Sequence, residues 1–193
     1  MQVARTIVAI LLIIVFTGCA GKLTRPDTES LEQPRPVFLL DHGRHSSLVL
    51  TREDQSMVRY LYGEWRWYAL QETGPLRAFP TLFAPTRAAL GRRELAGPPD
   101  ARVIRRQIPV VIDTLHELPV EATRVDRLIQ ELDERFEAAR ETRHENRAYD
   151  LEFVHHPKDY TVFDNSNHVV AEWLRELGLE VSGNPMWGTW RVE

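Results

Sequence analysis

The chain of 193 residues contains a single cysteine, Cys19, and this limits how its fold can be stabilised. No internal disulfide can form, and a zinc site built from several cysteines is excluded. The fold must therefore depend on a hydrophobic core, which a composition of 43% apolar and 27% charged residues can supply. A chain of this length is typical of one globular domain of ordinary size.

The residues around Cys19 have the pattern of a targeting segment. Arg5 is followed by an almost wholly aliphatic run of eleven residues over 6–16, and then by the small residues of 17–21. That run is too short to cross a hydrocarbon layer, which needs about 20 residues of helix. The pattern resembles a bacterial lipoprotein signal, in which cleavage precedes the cysteine and the new N-terminal cysteine is acylated. An uncleaved anchor helix with an incidental cysteine is the alternative.

The lipoprotein resemblance implies a location and a membrane partner. It predicts a signal peptide over residues 1–18 and attachment to the membrane through lipid on Cys19. Ala20 after the cysteine favours the outer membrane of a two-membrane bacterium, with the protein facing the periplasm. Residues 19–36 contain three prolines and no apolar period, so we expect a tether there and a single domain over residues 37–193.

Apolar patterns along the rest of the chain predict an α+β fold. The stretches with strand-like composition are residues 37–40, 47–51, 65–70 and 103–112. Gly43 supplies a turn between the first two. An apolar stripe with spacings of three and four predicts a helix over residues 121–141, and capping residues predict another from residue 165 to about Leu177. This order of elements is typical of the α+β class.

The charge balance bears on the partners that the chain can have. It has 24 basic and 28 acidic residues, for a formal net charge of −4 at pH 7. A protein that binds nucleic acid needs a dominant basic surface. Nucleic-acid binding is therefore not expected.

Two groups of polar residues stand beside apolar segments and are candidates for chemistry. His42 and His45 precede a strand, and residues 165–168 precede a helix. A nucleophile at a helix start is favoured by unpaired N–H groups and by the positive end of the helix dipole. A histidine from a neighbouring strand can act as its general base. By spacing alone, a serine in the position of Ser166 is more often an N-cap, and a histidine in the position of His45 is more often a strand-end residue.

The histidines also leave a metal site open as an alternative. Its ligands would come from His42, His45, His155, His156 and His168, with Asp164 or Glu64. Adjacent histidines in a strand point to opposite faces, so at most one of His155 and His156 can take part. His42 and His45 can share a face only if Gly43 bends the chain. Our prediction is that the chain holds no metal and no cofactor.

Three short motifs carry a family resemblance: HGRHSSLVL at residues 42–50, YGEWRWY at 62–68 and NSN at 165–167. They resemble a bacterial family of conserved hypothetical proteins first noted near urease gene clusters. The match spans roughly residues 37–181. Its order, with a histidine strand first and a nucleophile helix last, is similar to circularly permuted papain-like folds of the NlpC and lecithin-retinol acyltransferase type. The resemblance implies a permuted papain-like fold, in which a small, mostly antiparallel sheet packs with helices.

The resemblance also implies roles for individual residues. These are His45 as base, Ser166 as nucleophile, Glu64 as the residue that orients the base, and Asn165, Asn167 and His42 in binding. Relatives carry cysteine where this chain has Ser166. A thiol with a pKa of ~8.5 becomes a thiolate beside a helix start and an imidazolium. A hydroxyl does not, and it needs an aligned base and an oxyanion hole during attack.

These residues leave three functions open, and the presence of Ser166 in place of cysteine decides which of them is preferred. It favours a degenerate hydrolase-like domain that binds an envelope peptide or acyl ligand. The second function is an active Ser–His amidase or esterase that acts on envelope amides or esters. The third is a purely structural lipoprotein, in which every polar residue serves capping or packing.

Overall fold

A computed structural model describes residues 20–74, 84–161, 163–186 and 188–193. In these residues the strands are β1 (Gly21–Thr24), β2 (Pro34–Asp41), β3 (Ser46–Thr51), β4 (Met57–Glu64), β5 (Ala88–Leu95), β6 (Thr114–Glu121), β7 (His144–Asn146), β8 (Leu151–His155), β9 (Glu180–Gly183) and β10 (Trp190–Val192). The α-helices are α1 (Trp65–Tyr68), α2 (Ala101–Gln107), α3 (Ala122–Ala138) and α4 (Ser166–Glu176), and short 3-10 helices span Thr28–Ser30 and Arg140–Thr142.

The strands form two sheets. Seven of them pair antiparallel in the order β6-β2-β3-β4-β5-β8-β7. In the smaller sheet, of order β10-β1-β9, strand β1 runs parallel to β10 and antiparallel to β9. The predicted α+β class is confirmed, whereas the expectation of a small sheet is wrong. Strand β4 is not expected from the sequence, because it is buried along its whole length and lacks the alternation that reveals a strand.

Both faces of the large sheet are covered. One face, to which Tyr60 and Tyr62 of β4 point, packs against α3, α4 and the smaller sheet; we call it the α3/α4 face. The opposite face is the α1/α2 face. Leu61 of β4 packs there with Tyr68 of α1, and Phe38 of β2 packs there with residues of α2. Strand alternation therefore assigns each side chain of β2, β3 and β4 to one of the two faces of the sheet.

The two predicted helices are confirmed. In α3, Val125, Leu128 and Leu132 are buried on one stripe, as their spacing predicts. Asn165 is the N-cap of α4. Gly178 follows that helix with a φ of 86°, a left-handed conformation typical of the residue that ends a helix.

The strands expected at residues 65–70 and 103–112 are wrong, since the chain forms α1 and α2 there. Each helix is preceded by an acidic N-cap. Glu64 accepts a hydrogen bond from the backbone N–H of Trp67 at 2.7 Å, and Asp100 caps α2 in the same way. Satisfying the free N–H groups of the first turn outweighs the strand propensity of these segments.

The structure also differs from the tether expected over residues 19–36. Strand β1 lies between β9 and β10, and Leu23 is fully buried against the α3/α4 face. Its neighbours Lys22 and Thr24 are exposed, an alternation too short to be recognised from the sequence. The described part of the chain begins one residue after Cys19, and Cys19 lies outside it together with the signal peptide predicted over residues 1–18.

Candidate functional site

The turn between β2 and β3 brings His42 and His45 together. Gly43 has a φ of 85°, and its N–H donates to Asp41 Oδ1 at 2.7 Å. The backbone N–H of His42 donates to the carbonyl of His45 at 2.9 Å. The two rings therefore stack, with 4.7 Å between their centroids. The chain therefore bends at Gly43, as His42 and His45 require if they are to share a face.

His42 is held by hydrogen bonds at both ring nitrogens. Nδ1 lies 2.7 Å from the carbonyl oxygen of Val111, so we assign the ring proton to Nδ1. Nε2 then accepts, and it lies 3.0 Å from Ser47 Oγ and 3.4 Å from Arg59 Nη2. Burial, and next the charge of Arg59, lower the pKa of His42 to about 4. The ring is therefore neutral at neutral pH.

Arg59 is a buried cation with no acidic partner in the described part of the chain. It is 1% exposed, and it donates to Ser47 Oγ and to the carbonyl of Tyr149, both at 3.2 Å. Burial, and next the charge of Arg93, lower its pKa to about 9. A buried charge is costly unless an opposite charge pairs with it. Arg59 is therefore a residue that lowers the stability of its own surroundings, as functional residues often do.

His45 lies among aromatic rings. Its ring meets Tyr68 and Tyr149 edge-on, at centroid distances of 5.4 and 6.1 Å. Its Nε2 is buried and has no hydrogen-bond partner within the described residues. Burial, then His42 and Arg59, lower the pKa of His45 to about 3. We call these five residues, His42, His45, Arg59, Tyr68 and Tyr149, the His–Arg cluster.

The polar residues at the start of α4 join three segments of the chain. The side chain of Asn165 accepts from the backbone N–H groups of Asn167 and His168, at 3.0 and 3.1 Å, and its amide donates to the carbonyl of Met186 at 3.3 Å. The amide of Asn167 donates to the carbonyls of Arg44 and Met186, both at 3.1 Å. The asparagines predicted to bind a ligand thus hold α4 against the β2–β3 turn and the segment before β10.

Ser166 and His45 are the predicted nucleophile and base. Ser166 is 2% exposed, its hydroxyl interacts with the phenol of Tyr68, and no hydrogen bond joins it to His45 in the part of the chain that the structure describes. The rings of His42 and His45 lie on the α1/α2 face, to which Ser47 points. Tyr68 contacts both side chains.

Glu64 has a different role from the one predicted. Its carboxylate caps α1 through the backbone N–H of Trp67, and burial raises its pKa above the usual value. Among the described residues, none of its contacts involves His45.

Sequence reasoning misses three members of the His–Arg cluster. Arg59 has a signal, because it is the single charge inside the apolar stretch over residues 57–63. Tyr68 and Tyr149 have no local signal, since they reach the cluster from segments distant in sequence.

The histidines do not gather into a metal site. In the residues that the structure describes, no group of three or more His, Cys, Asp or Glu side chains is arranged to hold a metal ion. His155 packs against Trp65 at a centroid distance of 4.2 Å, and His168 lies 3.0 Å from Asn165 Oδ1. Each of these two histidines therefore has a local partner outside the His–Arg cluster.

Comparisons of the chain with protein-family models, with curated proteins and with solved structures give no match. The described part of the chain contains no helix with the length and apolar character needed to span a membrane. The family resemblance of the three motifs and the lipid anchor therefore stay predictions.

Proposed function

We propose that the protein is a lipid-anchored envelope protein whose domain binds a ligand with an anionic group and does not hydrolyse it. Its anchor is acylated Cys19 in the outer membrane, and the domain faces the periplasm. The domain is a degenerate variant of the permuted papain-like type, and its ligand is an envelope peptide or an acyl compound with a free carboxylate. The observation that carries the proposal is the uncompensated charge of Arg59 in the His–Arg cluster.

The ligand class follows from what the cluster lacks. An anion beside His42 and His45 supplies the missing countercharge for Arg59. Its oxygens accept from the free Nε2 position of His45 in the tautomer that carries a proton there. The neutral rings around it provide donors and apolar contact without a second charge. A carboxylate of a stem peptide has this chemistry.

The same geometry disfavours nucleophilic catalysis. A serine must pass its proton to a base within hydrogen-bond reach. The partner of Ser166 is Tyr68, and burial raises the pKa of that phenol well above its usual value. With a pKa of about 3, His45 is also a weak base. An active Ser–His hydrolase is therefore less favoured, and a purely structural role leaves the buried charge of Arg59 unexplained.

The order of elements supports the papain-like part of the proposal. The hairpin with the two histidines precedes the helix that begins at Ser166, and Asn167 bonds the helix start to the hairpin at Arg44. A degenerate member of such a fold would keep this packing while its catalytic side chains drift apart.

Binding is tested by calorimetry with soluble stem peptides that have either a free or an amidated carboxyl terminus. Since hydrogen bonds to charged groups contribute about 1.5–3 kcal/mol, the free acid should bind about tenfold or more tightly than the amide. His45→Gln should lose this preference, and the matched control His116→Gln, on β6, should keep it. Equal affinity for both peptides, or no binding of either, contradicts the proposed ligand class.

Catalysis is tested with a fluorophosphonate probe, which reacts with activated serines. The wild-type protein should not be labelled, and Ser166→Ala should bind the peptide as the wild type does. Labelling of the wild type that disappears in Ser166→Ala would establish an active hydrolase instead.

The anchor is tested by fractionation of cells that produce the full chain or Cys19→Ser. The wild-type protein should sediment with outer membranes, and the variant should be released into the soluble fraction. Membrane association that does not change in Cys19→Ser contradicts the lipoprotein assignment.

A further inference from the structure

Ala20, the first residue that the structure describes, lies on the same side of the domain as the β2–β3 turn. The backbone N–H of Gly21 donates to the carbonyl of Thr189 at 2.9 Å, next to Trp190. The indole Nε1 of Trp190 donates to Ser46 Oγ at 2.7 Å, and Ser46 directly follows His45. A short chain of contacts, through Trp190 and Ser46, therefore links the start of β1 to the His–Arg cluster.

The same end of the domain carries exposed apolar side chains. Val111 and Phe163 are each 76% exposed, the highest values among the large hydrophobic residues that the structure describes. The carbonyl of Val111 contacts His42 at the turn. Phe163 stands two residues before Asn165, whose amide bonds to the segment before β10. The two side chains thus come from separate loops, one beside the β2–β3 turn and one before α4.

The opposite end of the sheet has a different character. The β3–β4 turn there consists of polar and charged residues over 52–56, and Glu53 at its tip is exposed. Arg52 is paired with Glu94 in the neighbouring strand. Val111 and Phe163 therefore lie at the end of the sheet that is opposite to this charged turn.

The distance between the anchor and the fold is very short. Cys19 directly precedes Ala20, and one residue of extended chain spans about 3.5 Å. Since β1 begins at Gly21, no free tether separates the sheet from an acylated Cys19. The end of the domain around Ala20 must therefore lie at the membrane surface.

We propose that this anchor end, made of Ala20, the turn over residues 42–45, Val111 and Phe163, docks on the lipid bilayer. The proposal rests on the proposed function, because it requires the acyl group on Cys19. Val111 and Phe163 insert at the level of the headgroups, and the exposed Arg44 lies where it can contact anionic lipid phosphates. The His–Arg cluster then takes its ligand at the membrane surface rather than from the open periplasm.

The docking is tested on the full acylated chain. Because acylation leaves Cys19 with no free thiol, Val111→Cys, Phe163→Cys and the control Glu53→Cys each carry one site for an environment-sensitive fluorophore. The proteins are reconstituted into vesicles of phosphatidylethanolamine and phosphatidylglycerol, and iodide serves as the aqueous quencher. Labels at 111 and 163 should shift to the blue and be quenched at least about threefold less than the label at 53, as expected for burial in the headgroup region.

The outcomes separate the docking from the anchor. Equal quenching at the three positions, in protein whose acylation is confirmed by mass spectrometry, overturns the docking and leaves the anchor in place. A mass without acyl groups overturns both. A blue shift of the same size at 111 and 163 in the soluble Cys19→Ser protein, without lipid or detergent, also overturns the docking, because the labels would then be buried by protein.

Discussion

The depressed pKa values of His42 and His45 make the stability of the fold depend on pH. In the folded protein burial lowers these pKa values to about 4 and about 3, from 6.5 for an unperturbed histidine. The unfolded chain therefore takes up protons at a higher pH than the folded chain does. The free energy of unfolding is at its full value above the unfolded pKa, and it falls as the pH drops from 6.5 toward the folded values.

The magnitude follows from the interval between the pH and the unfolded pKa. At pH 5 the unfolded histidines are protonated and the two folded rings are still mostly neutral. Each pH unit below 6.5 costs about 1.36 kcal/mol per histidine, so each ring removes about 2 kcal/mol at pH 5, and the pair about 4 kcal/mol. That is a large part of the roughly 5–15 kcal/mol that stabilises a domain.

Urea denaturation followed by tryptophan fluorescence, at pH 7.5 and pH 5, measures this loss. Between the two pH values the wild type should lose about 2 kcal/mol more than His45→Gln, which has one titrating ring fewer. Burial also lowers the pKa of His156, but this contribution is common to both proteins and cancels in the difference. An equal loss in the two proteins would refute the assignment of His45 as a buried neutral base.

Three further substitutions test the packing of the site. Gly63→Ala places a Cβ 2.2 Å from Cδ2 of Tyr68, so urea denaturation should show a loss of about 1–3 kcal/mol, and an unchanged midpoint contradicts this contact. Asn165→Ala removes the α4 cap and should cost about 1 kcal/mol by the same assay, whereas Asn165→Asp keeps the accepting oxygen and should cost less; equal losses would be inconsistent with capping. Ser166→Cys should show no thiol-dependent hydrolysis of peptide or ester substrates, because His45 does not bond to this position, and measured turnover would contradict that geometry.

The helices and the class of the fold could be predicted because their signals are local. The stripe of α3 and the Asn165 cap of α4 are each read from a few neighbouring residues. The central strands could not be predicted in this way. All eight residues of β4 are buried, so the strand shows no alternation, and its assignment depends on partners from distant parts of the chain.

The candidate site could be located from the sequence, but its internal geometry could not. The motifs identify the β2–β3 turn and the start of α4, and these do meet through Asn167 and Arg44. Whether His45 points toward Ser166 depends on the register of the hairpin, in which Asp41 pairs with Ser46. A shift of one residue would turn every side chain of that strand to the other face. The order of the motifs along the chain does not show to which face of the sheet the His45 side chain points.

A comparison within strand β4 distinguishes a completed polar network from an incomplete one. On the α3/α4 face, the phenol of Tyr60 donates to Asp133 at 2.6 Å, and Arg92 donates to the same carboxylate at 2.6 Å, so these polar groups satisfy one another. Arg59, the preceding residue in β4, points to the other face and has only neutral partners in the described chain. Arg92 and Asp133 keep 22% and 30% of their side chains exposed, whereas Arg59 is 1% exposed, so the more deeply buried cation is the one that lacks a carboxylate. An anion that binds the folded protein stabilises it by mass action, and Arg59 is the position where such an anion gains most. The polar network is complete on one face of β4 and lacks a countercharge on the other, and this difference favours a binding role for the His–Arg cluster over a structural one.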